Sequence, residues 1–340
     1  KKTRESHAGW YVLIGICAAV PCLMVLVLLL MSADMVFADL LVRFAGVFRF
    51  PAKLLRILLM LVFGFLSSYC GVRYVQKHAA DIKPSAGKTA EPLIAIAFTA
   101  PIAVLYLLFS AIQIVYLFIG NMQLPAGVTY AEYARRGFFQ LLFVCVLNLA
   151  AVLFIQSYFK ENRVLKALLL AISGCTLIMT ASSACRMLLY IRAYQLTFLR
   201  VSVLVALAVI ALLMAGVIAK IVKPQFPLFR YGFVLVGAVY LVFSFSHVDY
   251  FIAAYNLTHT SWEASGEETV DYSYLYTLST DAAPAIEKYA GKSGAADYRK
   301  QGWYQLYCEA NEEALNATGL RTYNVSHAVA KQLLMEDNRE

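Results

Sequence analysis

The chain has 340 residues, 61% of them apolar and only 15% charged, with a net charge of +8 and a mean hydropathy of +0.66. That balance excludes an ordinary soluble domain. The basic residues fall in short loops between apolar runs, which is a membrane-topology signal and excludes nucleic acid as the partner behind the positive charge.

Seven runs of sixteen or more residues contain no Asp, Glu, Lys or Arg: 11–30, 57–72, 93–120, 137–159, 167–185, 201–219 and 231–248. About 20 mostly apolar residues cross a bilayer as a helix. The predicted fold class is therefore an all-α integral membrane protein of about seven transmembrane helices, with a small, mainly helical extracytoplasmic C-terminal domain. The bundle is assigned to 1–255 and the polar domain to 256–340. No ionisable side chain falls in the middle of a run to mark an ion pathway.

The chain opens on Lys1, Lys2 and Arg4 without a Met, which suggests a processed or excerpted chain with room for spans upstream. The first span, near 10–31, is too long for a signal-peptide core and lacks a small-residue cleavage site. After it, Phe37, Leu40, Leu41, Phe44, Val47 and Phe48 recur at helical spacing, with Asp39 and Arg43 four apart on another face. This predicts an amphipathic helix in the membrane interface, stopped by Pro51. The second and third spans are placed near 54–72 and 93–120. Thr129-Tyr130-Ala131-Glu132 is a capping box, starting a helix in the headgroup region ahead of the fourth span near 137–159.

The fifth span, near 166–190, is the most polar. Ser173, Thr176, Thr180 and Ser183 lie within about 80° of one another at 3.6 residues per turn. This stripe, like Gln113 and Asn148, predicts close helix packing with modest hydrogen bonds, the alternative being a pore- or substrate-lining face. Spans near 199–222 and 231–250 complete the bundle. In the tail, Asp281 is expected to cap a helix over 282–289 with Pro284 in its first turn. Two further helices are expected over 304–315 and 325–335, the second capped by Asn324. The many tail aromatics are expected to pack on the outer span ends, an aromatic ligand site being the alternative.

With the N-terminus in the cytoplasm, the cytoplasmic segments hold thirteen Lys and Arg and the opposite short loops nine. The excess puts the N-terminus inside and, with seven spans, the C-terminus outside. Six of the seven cysteines lie in or beside the apolar runs and only Cys308 in the tail. The tail thus has no pair for an internal disulfide, and no spacing suits a metal or a cofactor.

Several motifs together carry a resemblance. They are Tyr130-Ala131-Glu132-Tyr133-Ala134-Arg135-Arg136-Gly137-Phe138, Arg186-Met187-Leu188-Leu189-Tyr190-Ile191, Tyr194-Gln195-Leu196-Thr197 with Arg200, and Asp249 with Ile252-Ala253 and Tyr255-Asn256. The tail adds Asp271, Tyr274-Leu275, Leu278, Asp281-Ala282-Ala283-Pro284-Ala285 and Tyr323-Asn324-Val325-Ser326. From roughly Arg49 to the C-terminus the chain resembles a family of bacterial multi-spanning membrane proteins known only as a domain of unknown function. Gln195 stands where the family pattern has Gly, so the turn between the fifth and sixth spans is expected to differ. The resemblance implies a bacterial inner-membrane protein and carries no reaction, ligand or cofactor.

In this topology Glu132, Arg135, Arg136, Arg186, Arg192, Arg200 and Asp249 fall at the outer ends of spans four to seven. Arginines at a water–lipid boundary hold phosphate or carboxylate bidentately. The cluster predicts either an outer pocket for an anionic headgroup, lipid-linked precursor or peptide carboxylate, or ion pairs that dock the tail, Arg186 with Asp249 among them. His247-Val248-Asp249 offers a base beside a carboxylate but no nucleophile motif accompanies it. Three function classes follow: a sensory or regulatory scaffold with a protein partner in the membrane, a transporter or flippase, and a membrane enzyme on lipid-linked substrates. The first is favoured.

Overall fold

The computed structural model describes residues 2–45, 90–115, 138–259, 261–262, 268–269, 272–290, 301–316 and 324–336. Its long helices are α1 (Lys2–Ala33), α3 (Pro92–Gln113), α4 (Phe138–Tyr158), α5 (Arg163–Tyr194), α6 (Phe198–Val222) and α7 (Leu228–Phe245), with α2 (Met35–Ala45) between α1 and α3. After α7 come α8 (Val248–Thr258) and an antiparallel pair, β1 (Ser261–Trp262) with β2 (Glu268–Thr269). The tail then holds α9 (Tyr272–Leu275), a 3-10 turn (Thr280–Ala282), α10 (Ala283–Tyr289), α11 (Gly302–Ala310), α12 (Glu312–Asn316) and α13 (Val325–Lys331).

Among the described residues six helices are long and apolar enough to cross a membrane: Ala8–Ala33, Pro92–Gln113, Phe138–Tyr158, Arg163–Tyr194, Phe198–Val222 and Leu228–Phe245. They coincide with the first and the third to seventh predicted spans. The second, near 54–72, lies outside the described residues. The chain is an all-α membrane protein.

Two compact units are formed, one from Lys1–Pro125, Arg136–Ser183 and Ile210–Phe229, the other from Ala126–Arg135, Ala184–Val209 and Arg230–Glu340. The core of the first includes Leu26, Leu30, Tyr106, Phe109, Leu141, Val144, Met179 and Met214. Here α1 presses on α3 at Gly15, where a Cβ would come within 2.6 Å of both the Ala97 Cβ and the Ile94 carbonyl oxygen. Small residues at such crossings let backbones approach, which is how membrane helices gain packing where lipid offers no hydrophobic drive. Pro21 and Pro101 lie inside α1 and α3, as membrane helices allow.

The expected helix after the first span is present as α2. It starts after a break at Asp34, whose Oδ1 accepts the Phe37 N–H at 2.9 Å as an N-cap. Arg43 pairs with Asp39 at 2.8 Å on the exposed face. The apolar stripe turns inward: Phe37 is fully buried and meets Phe109 edge-on at 5.2 Å, and Leu40 and Leu41 pack on the same core. The stop at Pro51 and the capping box at 129–132 lie outside the described residues.

In the second unit the tail is built on α8. Ile252, Ala253 and Leu257 pack with Leu275, Ala282, Ile286 and Tyr307. Some expectations are corrected. The seventh span ends at Phe245, because His247 takes a left-handed conformation (φ 48°) and α8 restarts after it. Asp281 does not cap a helix. It falls in the 3-10 turn and turns its carboxylate to His247. The helix expected over 304–315 is divided at Asn311, whose amide donates to the Leu278 and Tyr307 carbonyls at 3.0 Å each. Asn324 does cap α13, accepting the Ser326 N–H at 3.0 Å.

Candidate functional site

The family-like residues of the second unit converge on the turn between α5 and α6. Gln195 has φ 62°, a conformation that costs a residue with a Cβ about 1–2 kcal/mol and that Gly adopts freely. The departure from Gly is compensated by the side chain. The buried Gln195 amide donates to the Asn256 carbonyl at 3.3 Å and to the His259 carbonyl at 2.8 Å. Asn256, 1% exposed, answers from α8. Its Oδ1 accepts the Leu196 N–H at 2.8 Å and its Nδ2 donates to the Leu196 carbonyl at 2.9 Å. A bidentate amide thus reproduces a strand-like pairing between an interhelix turn and a helix. The Phe198 N–H adds a bond to the Tyr274 hydroxyl at 2.8 Å.

Of the predicted cluster, Arg186, Arg192, Arg200 and Asp249 lie among the described residues. Arg200 donates through Nη1 to the Tyr194 and Gln195 carbonyls and lies 4.3 Å over the Tyr190 ring. It therefore caps the C-terminal end of α5, where a cation meets the helix dipole. Asp249 accepts the Ser279 hydroxyl at 2.6 Å and the Ser279 N–H at 3.1 Å. The expected pairing of Asp249 with Arg186 is not formed. Ser279 takes the carboxylate because α8 presents its first turn to the chain entering the 3-10 turn. Arg186 is enclosed at 1% exposure and Arg192 is exposed. Glu132, Arg135 and Arg136 lie outside the described residues.

Behind Ser279, the Tyr307 hydroxyl donates to its carbonyl at 2.9 Å. Burial pushes the Tyr307 hydroxyl well above the usual phenol range, with the neighbouring Cys308 and Asp249 adding to the shift. Burial also raises the Cys308 thiol. Beside this docking region His247 Nδ1 stands 3.4 Å from Asp281 Oδ2. The pair borders a cavity of about 430 Å³, walled mainly by Tyr250, Phe251, Pro284, Val325 and Val329. The carboxylate predicted for His247 exists, but it comes from Asp281 of the tail and not from Asp249.

In the first unit Thr176 and Thr180 of the polar stripe of α5 belong to a hydrogen-bonded seam. Tyr106 donates to Asn148 Oδ1 at 2.6 Å, Asn148 Nδ2 donates to Thr176 Oγ1 at 3.0 Å, and Thr180 Oγ1 donates to Cys145 Sγ at 3.3 Å. Ser182 Oγ donates to Gln113 Oε1 at 2.5 Å, and Gln113 Nε2 donates to Asp34 Oδ2 at 2.8 Å. Asp34, 3% exposed, is a buried carboxylate that lies outside every charge-free run. Its signal was the N-cap position just ahead of the Phe37 stripe. Ser173 and Ser183 are buried with no hydrogen-bond partner among the described residues.

These motifs and the helix bundle agree with the comparison to known families. The chain belongs to the family described as Domain of unknown function (DUF4153), whose model matches residues 1–289. The match takes in the first span, upstream of where the motif resemblance starts, and ends with α10. No curated protein and no solved structure matches the chain.

Proposed function

We propose that this protein is a sensory or regulatory scaffold of the bacterial inner membrane, with a cytoplasmic N-terminus and an outward-facing C-terminal domain. One observation carries the reading. The polar groups at the α5–α6 turn and on α8 are engaged in holding the turn and the tail together: Gln195 on the Asn256 and His259 carbonyls, Asn256 on the Leu196 backbone, and Asp249 on Ser279, while Arg200 caps the end of α5. A tail docked this way has its partner- or ligand-induced shifts applied directly to the ends of two membrane helices. The same occupancy leaves Asp249 and Arg200 poorly placed to act on a lipid-linked substrate.

Topology is tested by thiol labelling of intact cells at an introduced Ser265→Cys. Labelling without permeabilisation supports the outward tail, and labelling only after permeabilisation overturns it. A transporter or flippase is the second reading, favoured by the buried hydroxyls of Ser173 and Ser183. Ser183→Cys separates the two, since a membrane-impermeant thiol reagent reaches it along a water-filled path and not in a closed seam.

A further inference from the structure

The α4–α5 turn (159–162) and the α6–α7 turn (223–227) enclose a cavity of about 420 Å³ in the first unit. Both turns join membrane-crossing helices, so the cavity opens at a membrane surface. Its floor is apolar, from Leu153, Ile155, Leu165, Leu169, Ile221 and Leu228, and Lys160, Lys166 and Lys220 stand in its wall with Glu161. Two of the lysines are held by carboxylates, Lys160 by Glu91 at 2.7 Å and Lys166 by Glu161 at 2.9 Å. Lys220 instead donates to the neutral Pro224 carbonyl, so among the described residues the wall carries one ammonium more than the carboxylates beside it. The α4–α5 turn is pinned to the entry of α3 by two backbone bonds, Ala90 N–H to the Tyr158 carbonyl at 3.4 Å and Lys160 N–H to the Ala90 carbonyl at 3.1 Å. Exposed Phe154 and Tyr158, stacked at 5.5 Å, flank the turn as interfacial aromatics do.

We propose that this cavity binds an anionic phospholipid, its phosphate on Lys220 and the upper part of its acyl chains on the Leu153–Leu169–Ile221 floor. Three properties select that occupant. An apolar floor at a membrane surface is filled by lipid chain more favourably than by water. The unbalanced ammonium selects an anion, and basic pockets between membrane helices recognise lipid headgroups in this way. The volume is that of a ligand pocket and admits a headgroup with part of its chains. A soluble phosphate would satisfy the lysine but leave the floor wet.

The full-length protein in detergent, analysed by native mass spectrometry after exchange with phosphatidylglycerol or phosphatidylethanolamine, tests this. The wild type is expected to retain phosphatidylglycerol preferentially. Lys220→Gln should lower the bound fraction about fivefold, the effect of one basic residue at a charged membrane surface. Lys220→Arg should keep the binding, and Lys223→Gln, on the adjoining turn but outside the cavity, should leave it unchanged. Equal retention of the two lipids, undiminished binding in Lys220→Gln, or an equal loss in Lys223→Gln would overturn the proposal. Displacement of the lipid by millimolar inorganic phosphate would assign a soluble anion instead and overturn it too. If Lys220→Gln melts below the wild type without lipid, Lys220→Arg decides, and a folded Lys220→Arg that binds no phosphatidylglycerol overturns the assignment.

Discussion

Replacing Asn256 by Ala removes both arms of the amide that reads the Leu196 backbone. The residue is 1% exposed, so its loss strands a N–H and a carbonyl at a half-buried turn. At about 1–2 kcal/mol for each stranded group, Asn256→Ala should weaken tail docking by about 2–4 kcal/mol. The population with an undocked tail then rises by roughly 30- to 700-fold, since 1.4 kcal/mol is tenfold. Chymotrypsin at low concentration reads this population, because cleavage follows the open fraction when reclosing is fast. The same assay separates strain from bonding at Gln195. Gln195→Ala keeps the left-handed backbone and loses two hydrogen bonds, whereas Gln195→Gly loses the same bonds but recovers about 1–2 kcal/mol of strain. Gln195→Gly should therefore be cleaved at least about fivefold more slowly than Gln195→Ala. Cleavage of Asn256→Ala within twofold of wild type, or a Gln195→Gly less stable than Gln195→Ala, refutes the reasoning.

The remaining predictions concern helix packing, charge partners and pH. Gly15→Ala should lower stability in detergent by about 1–3 kcal/mol through overpacking, and Ala97→Gly should restore only part of it, because the Ile94 carbonyl also stands in the way; an unchanged melting temperature would dismiss the close approach. Asp249→Ala and Ser279→Ala should be non-additive in tail docking, while Asp249→Ala and Arg186→Ala should add; the reverse pattern would return Arg186 as the partner. Tyr307 is held neutral above the usual phenol value, so its contribution is complete below about pH 10 and is lost as pH rises beyond that. Tyr307→Phe should flatten the alkaline loss of tail protection relative to wild type, and parallel pH profiles would contradict this.

Much of the architecture is legible in order along the chain, since charge-free runs of helical length have one stable form in lipid. Local chemistry also fixed some ends. Asn324 caps a helix because its side chain and the N–H it accepts are two residues apart, and Asp39 meets Arg43 because four residues make a turn. Gln195 in place of Gly led to an expected change in the turn, and the left-handed backbone it adopts, held by its own side chain, was not legible in advance. Long-range choices were not legible. Asp249 and Asp281 are both acids near His247, and nothing in their spacing says that Asp249 takes Ser279 while Asp281 takes His247. Phe37 belongs to a stripe that suits lipid or protein equally, and it is the tertiary core around it, Phe109 included, that buries it. The stripe of α5 has the same hydroxyls whether it lines water or a seam, and its bonds to Asn148 and Cys145 come from the neighbouring helix. Periodicity and capping are properties of neighbours in sequence; the partner of a buried polar group is set by which helices cross, at distances along the chain that no local pattern encodes.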